Sequence, residues 1–560
     1  MKPSVASVLA QQLKRWGVDH VFGVPGKAIV PLILELGNHG VKYVLSRHEA
    51  GAGFSAGGYA YMKRSLGVAL GTSGPGGTNL ITAAGQAKVY HVPLLIITGH
   101  ASMRETGKGL GQDSTFFGAD LVEMFRSVTL FSARLERGDM LRTYLAHAVE
   151  KAMTGVRGPV HLLIPRDVML EEIEPFELEL PDPTPHMVSD RVQEMLPLLN
   201  EAKRPVLFLG KGVHLSRAYE EVGWLAERWD LPVMTTPGGK GSFPSRHPLS
   251  LGAYGLGGTP EAGEYMTSGI DLMVVVGTKL SDMSVPVLKP EQYPKNVIHL
   301  DVDPTFIGKS LPVPTLFIQG DAKANLRKLM ALAGAGEERP SYLEIAAASE
   351  AKEIDSEELL NPAIGQDGAH NGGGEQITAK EVMEVLGRTL PDDAIVFGDD
   401  GSHSYHALLH LEIRRPGSFL FDDVFACMGH AIGYSVGAKI AAPQKPVICL
   451  TGDGCTFMHG AEISTAVNQG AAVIFVILNN GRLDMVNKGM KYNLGRTDGT
   501  VFDIPMDARK YAEAMGAEAY SCRTGAEFED ALRQALAESV TAVIEVLVDP
   551  EEIPPTMARG

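Results

Sequence analysis

The feature that most constrains this chain is a recurring unit: a short, uninterrupted apolar run that stops at a turn of glycine, aspartate, asparagine or proline. It occurs as LGVALGTSGPGGTN and HVPLLIITGH early on, RPVLFLGKGV and IDLMVVVGTKLSD in the middle, and KPVICLTGDG and AAVIFVILNN near the end. Such a run, without polar alternation, belongs to a strand buried on both faces, and that burial requires helices on each side of a parallel sheet. Intervening stretches have helical spacing; Val8, Leu9, Leu13 and Trp16 recur on one face of the first. The pattern predicts an α/β protein built on parallel sheets flanked by helices. The longest run, AAVIFVIL at 471–478, is far below the ~20 residues needed to span a bilayer. The N-terminus lacks the apolar core of a signal peptide. No membrane association is expected.

At 560 residues the chain is long enough for several cores. The first block is predicted over 1–175, followed by a Pro-rich connection, PFELELPDPTP at 175–185. A central α/β block follows at 190–335, in which RPVLFLGKGV reads as strand and turn, with a helix from about Ser216. Residues 336–376, ending AHNGGGEQ, read as a linker, and the last block covers 377–560. The first and third blocks share size and pattern, which suggests an old duplication. The net charge of −17 argues against a nucleic-acid partner, because phosphate binding needs an excess of Lys and Arg. Four scattered cysteines, Cys427, Cys449, Cys455 and Cys522, form neither a disulfide framework nor a zinc pattern and suit a reducing cytoplasm.

The densest chemistry is in TGDGCTFMHGAEISTAVNQGAAVIFVILNNGR. Asp453 lies between Gly452 and Gly454 at the end of one apolar run, and Asn480 at the end of the next. In a parallel sheet, adjacent strand ends share one crevice. A carboxylate and an amide are hard oxygen donors suited to Mg²⁺ that keeps room for phosphate and water. The glycine turn opening a helix offers N–H donors to a diphosphate. A plain Gly-Asp-Gly turn and an ordinary Asn-Asn turn are the alternative. In the first block, Glu49 of SRHEAGAGFSAGGYAY follows the run VKYVL and opens a small-residue helix. A carboxyl there is either desolvated, which favours its protonated form, or simply a helix-start acid.

GDG, 24 residues and then NN resemble the thiamine diphosphate (ThDP) fingerprint, and RHEAGAGFSAGGYA, GTSGPGGTNL, GPVHLLIPRDV and VIHLDVDPTFIGK follow in the order of one family. The chain resembles the acetolactate synthase-like branch of ThDP-dependent enzymes along nearly its whole length. This resemblance implies a pyrimidine-binding first domain, a Rossmann-like middle domain and a diphosphate-binding third domain. By it, Asp453, the Asn480 side chain and the Arg482 carbonyl hold Mg²⁺. Gly452, Gly454, Cys455, Leu483, Ser402, His403 and Ser404 line the diphosphate, while Pro25, Gly26 and Thr72 approach the ring end. Glu49, with His48 beside it, activates the aminopyrimidine, and Met428 bends the cofactor so that an ylid forms. The implied reaction decarboxylates a 2-keto acid, commonly pyruvate, and adds the resulting enamine to an acceptor carbonyl. Plain decarboxylation or C–C lysis on an unusual substrate is the alternative, and a non-catalytic ThDP- or nucleotide-binding regulator is a third reading. The family forms its sites between subunits, implying a homo-oligomer, either a dimer or a dimer of dimers.

The sequence departs from the biosynthetic enzymes at two places. GLGQDSTFFGADL offers Gln112 as a polar substitute for the Gln of their Phe-Gln pair, with Phe116 and Phe117 nearby. Gly489 stands where they carry a Trp after the Asn-Asn motif, which predicts a different acceptor or donor. His430, His459, Asn487 and Lys488 are polar candidates nearby. FAD in the middle domain is allowed by GKGV (210–213), GAYGLGG (252–258) and LDVDP (300–304), and these glycines are equally ordinary for a nucleotide fold that binds nothing.

Overall fold

The computed structural model describes residues 2–182, 187–286, 288–334 and 376–557. The predicted linker 336–376 therefore lies outside the described residues except for its last position. Among the described residues are three parallel sheets of six strands each.

The first sheet contains β1 (His20–Gly23), β2 (Lys42–Leu45), β3 (Gly67–Gly71), β4 (Leu94–His100), β5 (Phe131–Arg134) and β6 (Pro159–Pro165), in the order β2-β1-β3-β4-β6-β5. The second contains β7 (Pro205–Leu209), β8 (Val233–Thr235), β9 (Ser250–Ala253), β10 (Leu272–Val276), β11 (Asn296–Asp301) and β12 (Thr315–Gln319), in the order β12-β11-β10-β7-β8-β9. The third contains β13 (Ile395–Gly398), β14 (Phe419–Phe421), β15 (Val447–Gly452), β16 (Val473–Asn479), β17 (Glu518–Cys522) and β18 (Ala542–Leu547), in the order β14-β13-β15-β16-β18-β17. The first and third sheets thus have the same strand permutation. The middle sheet has the doubly wound order of dinucleotide-binding folds.

The central strands β3, β4, β6, β10 and β15 are buried at every position, as their unbroken apolar runs require. The strands that no such run announced, β5, β9, β12, β14 and β17, all lie at sheet edges. An edge strand has an unpaired side, and β5 and β17 are largely half-exposed, so their sequences carry no continuous apolar signal.

The helix expected from about Ser216 needs correction. The chain is helical from Lys211 to Ser216 and again from Tyr219 to Arg228. Arg217 breaks it with a left-handed φ of 50°. The early start follows from packing, since a Cβ on Gly212 would lie 2.5 Å from the Gly277 Cα. The turn must therefore wind tightly against the end of β10.

The first and third sheets are joined by the helices Glu49–Lys63 and His430–Ala441. Both are rich in Gly, Ala and Ser, and backbone meets backbone at their crossing. A Cβ on Gly437 would sit 1.8 Å from the Ser55 carbonyl oxygen, and one on Gly58 would sit 2.1 Å from that of Tyr434. The small-residue run at 49–60 is therefore an interhelix contact surface.

Candidate functional site

The C-terminal ends of β13, β15 and β16 open onto a cavity of about 890 Å³. Its position, where the chain leaves β13 on one side and returns to β15 on the other, is the topological switch point of the sheet. β15 ends at Gly452, and a helix begins at once with Asp453. Asp453 accepts the N–H of Gly454 on Oδ1 and the N–H of Gly481 on Oδ2, each at 2.8 Å. Burial nevertheless pushes its carboxyl up to about 6. A cation bound beside it would hold it ionised.

The two asparagines after β16 separate cleanly. Asn479 is buried and donates to the Met506 carbonyl at 2.7 Å and to Glu545 Oε1 at 2.8 Å. Asn480 lines the cavity together with Arg482 and Leu483. Gly454 leaves space that a side chain would occupy: a Cβ there would lie 2.6 Å from Leu483 Cδ2 and 3.2 Å from Met428 Cε. Gly452 accommodates the His403 ring, whose Nδ1 would lie 3.1 Å from a Cβ at 452. One carboxylate, one amide and nearby carbonyls around a glycine cradle fit a Mg²⁺–diphosphate pair, which needs few protein ligands.

The polar residues before this cradle are already oriented. His403 Nε2 lies 3.1 Å from the Asp399 carbonyl oxygen, and burial lowers the imidazole to about 4, so the ring is neutral. Ser402 lines the cavity and donates to Asp484 Oδ2 at 2.6 Å. Ser404 faces elsewhere: its hydroxyl donates to the Asp399 carbonyl at 2.5 Å and it does not line the cavity. Cys455 lines the cavity with Sγ 3.1 Å from the Asp400 carbonyl.

Met428 projects from a turn held by a buried acid. Asp399 Oδ1 accepts the N–H of Gly429 at 2.8 Å and lies 3.3 Å from His430 Nδ1, which is itself 2.7 Å from the Cys427 carbonyl. Burial opposes a charge on His430, but the Asp399 hydrogen bond and the charges of Asp399 and Asp422 outweigh it and raise the imidazole. Asp399 is pushed up by burial and pulled down further by His430, ending below its ordinary value.

The N-terminal residues form a second cluster. Glu49 is buried at the start of its helix and accepts Asn79 Nδ2 on Oε2 at 2.8 Å. Its Oε1 would lie 3.4 Å from a Cβ on Gly76. His48 caps the helix, with Nδ1 accepting the Ala50 N–H at 3.1 Å. Gly26 closes on Thr72, where a Cβ would come within 2.4 Å of the side chain, and Thr72 Oγ1 has no hydrogen-bond partner among the described residues. Pro25 is exposed beside it. Gln112 is exposed, has a φ of 58°, and accepts Ser73 Oγ at 3.4 Å. The Phe116 and Phe117 rings lie 4.2 Å apart at a tilt of 34°, and both are exposed.

Within one chain the two clusters do not share a cavity. The lining around Asp453 comes entirely from residues 379–552. The Glu49 helix is instead tied to the third domain by Glu462, whose Oε1 accepts the N–H groups of Arg47 and His48, each at 2.9 Å. Asn79 and Glu462 lie inside quoted segments without having been singled out, and Asp399, Asp400 and Asp484 lie outside them. Only the tertiary structure brings them to these clusters.

A second cleft, of about 920 Å³, lies at the switch point of the middle sheet. Lys211, Gly212 and the 300–302 stretch line it, whereas none of 252–258 does. Burial pushes Asp301 there up to about 6. A dinucleotide such as FAD would enter at this point. However, Gly212 is already required by its packing against Gly277, so the glycines are not by themselves a sign of a ligand.

Comparison with known proteins agrees with this arrangement. Residues 3–123 match the family described as thiamine pyrophosphate enzyme, N-terminal TPP binding domain. Residues 192–329 match its central domain and 399–546 its C-terminal TPP binding domain. The chain is 33% identical over 500 residues to the acetolactate synthase large subunit of Corynebacterium glutamicum, covering 86% of this chain and 76% of that one. It is 32% identical to the acetolactate synthase large subunit of Haemophilus influenzae, over 100% of this chain and 97% of that one. Against the probable acetolactate synthase large subunit of Methanocaldococcus jannaschii, identity is 30% over 99% and 93%.

Proposed function

This chain belongs to the thiamine pyrophosphate enzyme family, in its acetolactate synthase branch, and from that membership we propose that it is a ThDP- and Mg²⁺-dependent carboligase. It decarboxylates a 2-keto acid, pyruvate in the simplest case, and adds the remaining fragment to an acceptor carbonyl. The observation that carries this reading is the shared cavity of Asp453 and Asn480, with Met428 facing the glycine cradle between them.

In this reading Asp453, Asn480 and the Arg482 carbonyl hold Mg²⁺, and the neutral His403 ring and Ser402 lie along the diphosphate. Bound ThDP supplies the electron sink that makes loss of CO₂ from a 2-keto acid feasible. Glu49 would supply the acid that meets the aminopyrimidine ring. Asn79 orients that carboxyl, and the Gly26–Thr72 contact lets the backbone come close to the ring. Met428 would contact the bound cofactor, and Asp399 and His430 keep its turn in place.

We assign the complete site to a homo-oligomer, at least a dimer. The support is that Glu49 does not line its own chain's Asp453 cavity, so a second copy would supply the acid. All four cysteines are free thiols, and among the described residues no helix is long and apolar enough to cross a membrane. We place the reaction in the cytoplasm.

Incubation with pyruvate, ThDP and Mg²⁺ tests the reading. Acetolactate formation supports carboligation, acetaldehyde points to plain decarboxylation, and no consumption of any 2-keto acid removes the proposal.

A further inference from the structure

Met428 is bracketed by two contacts that converge on one imidazole–carboxylate pair. On one side the Cys427 carbonyl lies 2.7 Å from His430 Nδ1, and on the other the Gly429 N–H donates to Asp399 Oδ1 at 2.8 Å. His430 Nδ1 and Asp399 Oδ1 are themselves 3.3 Å apart. Asp399 Oδ2 accepts Thr451 Oγ1 at 2.8 Å, two residues before Asp453. Both the ring and the carboxyl are buried.

The other ring nitrogen faces a junction of all three domains. His430 Nε2 lies 4.0 Å from Asp422 Oδ2. Asp422, also buried, is ion-paired with Lys211 of the middle domain and accepts Gln86 Nε2 of the first domain at 3.2 Å. Lys211, Asp422 and His430 line a cavity of about 340 Å³. The middle domain puts no residue of its own into the Asp453 cavity, and Lys211 gives it a route to the Met428 turn.

The protonation of the ring follows from what surrounds it. A carbonyl oxygen only accepts, so Nδ1 beside Cys427 must carry a proton. An unprotonated Nε2 would point its lone pair at the Asp422 carboxylate, whereas a protonated one is attracted to it. Both nitrogens thus face oxygen acceptors, which selects the imidazolium. Asp400, His403 and His459 act on the ring through charge alone, and Tyr61, Tyr90 and Tyr434 share its cavity.

We propose that Asp422 is a positioning residue for the Met428 turn: it keeps the His430 imidazole doubly protonated, and the imidazolium clamps the Cys427 carbonyl and Asp399 on either side of Met428. Lys211 opposes this by neutralising Asp422, so the middle domain sets the pH at which the clamp releases. The consequence for turnover rests on the reading of Met428 as a cofactor contact, and the ionisation of the ring does not.

The test compares melting midpoints of the full chain across pH in wild type, Asp422→Asn and Lys211→Met, each against the same background carrying His430→Phe. The His430 contribution is lost as pH rises through the folded-state value of the imidazole. Asp422→Asn removes the anion beside Nε2 and should lower that limit by about one pH unit or more. Lys211→Met leaves Asp422 unneutralised and should raise it. With ThDP, Mg²⁺ and pyruvate, Asp422→Asn should also lower kcat by about tenfold while KM changes less. Should Asp422→Asn fail to fold because Lys211 loses its counter-ion, the double variant Lys211→Met with Asp422→Asn replaces it and must still show a limit below that of wild type. Limits that stay fixed, or that move the same way in the two single variants, would overturn the assignment. Opposite shifts with a wild-type kcat in Asp422→Asn overturn the positioning role. Wild-type protein that consumes no 2-keto acid overturns the parent reading and the effect on turnover with it, and the melts still decide the ionisation.

Discussion

The N–H of Gly481 donates to Asp453 Oδ2 at 2.8 Å, which ties the turn after β16 to the first residue after β15. Asp453 and Asn480 therefore hold their relative position before any ligand arrives. Pre-ordered ligands lower the entropy cost of binding a cation.

Asp453→Ala should abolish Mg²⁺-dependent retention of ThDP. The variant also leaves the Gly481 N–H without its acceptor, at a cost of about 1–3 kcal/mol. Equilibrium dialysis of ThDP alongside a melting curve separates the two effects. A folded variant with wild-type ThDP affinity would remove Asp453 from the ligand set.

Glu49→Gln should leave the fold intact, since an amide can still accept from Asn79 Nδ2. Turnover should fall by about 10²–10⁴, the usual contribution of a positioned acid–base group, while ThDP still binds. Steady-state rates close to wild type would contradict the activating role.

Gly437→Ala places a methyl group 1.8 Å from the Ser55 carbonyl oxygen. Both partners are helix backbone, so relief requires the two helices to separate. The expected destabilisation is about 1–3 kcal/mol, typical of overpacking, read as a lower urea midpoint. Gly37→Ala is the control: a Cβ there meets nothing within 4 Å. It should be neutral or stabilising by up to about 1 kcal/mol.

The buried Asp399–His430 pair predicts a pH window. His430 is raised in the folded state, so its contribution is fully present below the ordinary value of 6.5 and lost as pH rises through the raised value. Asp399 is lowered, so its contribution is present above 3.8 and lost as pH falls through the depressed value. The stability gap between wild type and His430→Phe should be widest between these limits and narrow on both sides. Thermal melts across pH measure it, and a gap independent of pH would show that the pair is not ionic.

Much of this was legible because local chemistry repeats. Unbroken apolar runs announced the central strands, and the Gly-Asp-Gly and Asn-Asn turns at their ends marked the crevice. Glu49 stood out by its position between an apolar run and a small-residue helix. The edge strands β5 and β17 stayed hidden because they are partly exposed and β14 because it is only three residues long, and the helix starting at Lys211 because Gly212 answers to Gly277 far along the chain.

The sequence alone determined which strands are buried and which strand ends carry an acid or an amide, because burial and turn chemistry are written in neighbouring residues. Tertiary structure decided that Asn479 is locked into the core and Asn480 reaches the cavity, that Ser404 turns inward and that Glu462 holds the start of the Glu49 helix. Each of these depends on a partner tens to hundreds of positions away or on the sharing of space around one strand end. Such long-range geometry arises only when the sheets twist and the helices close over them.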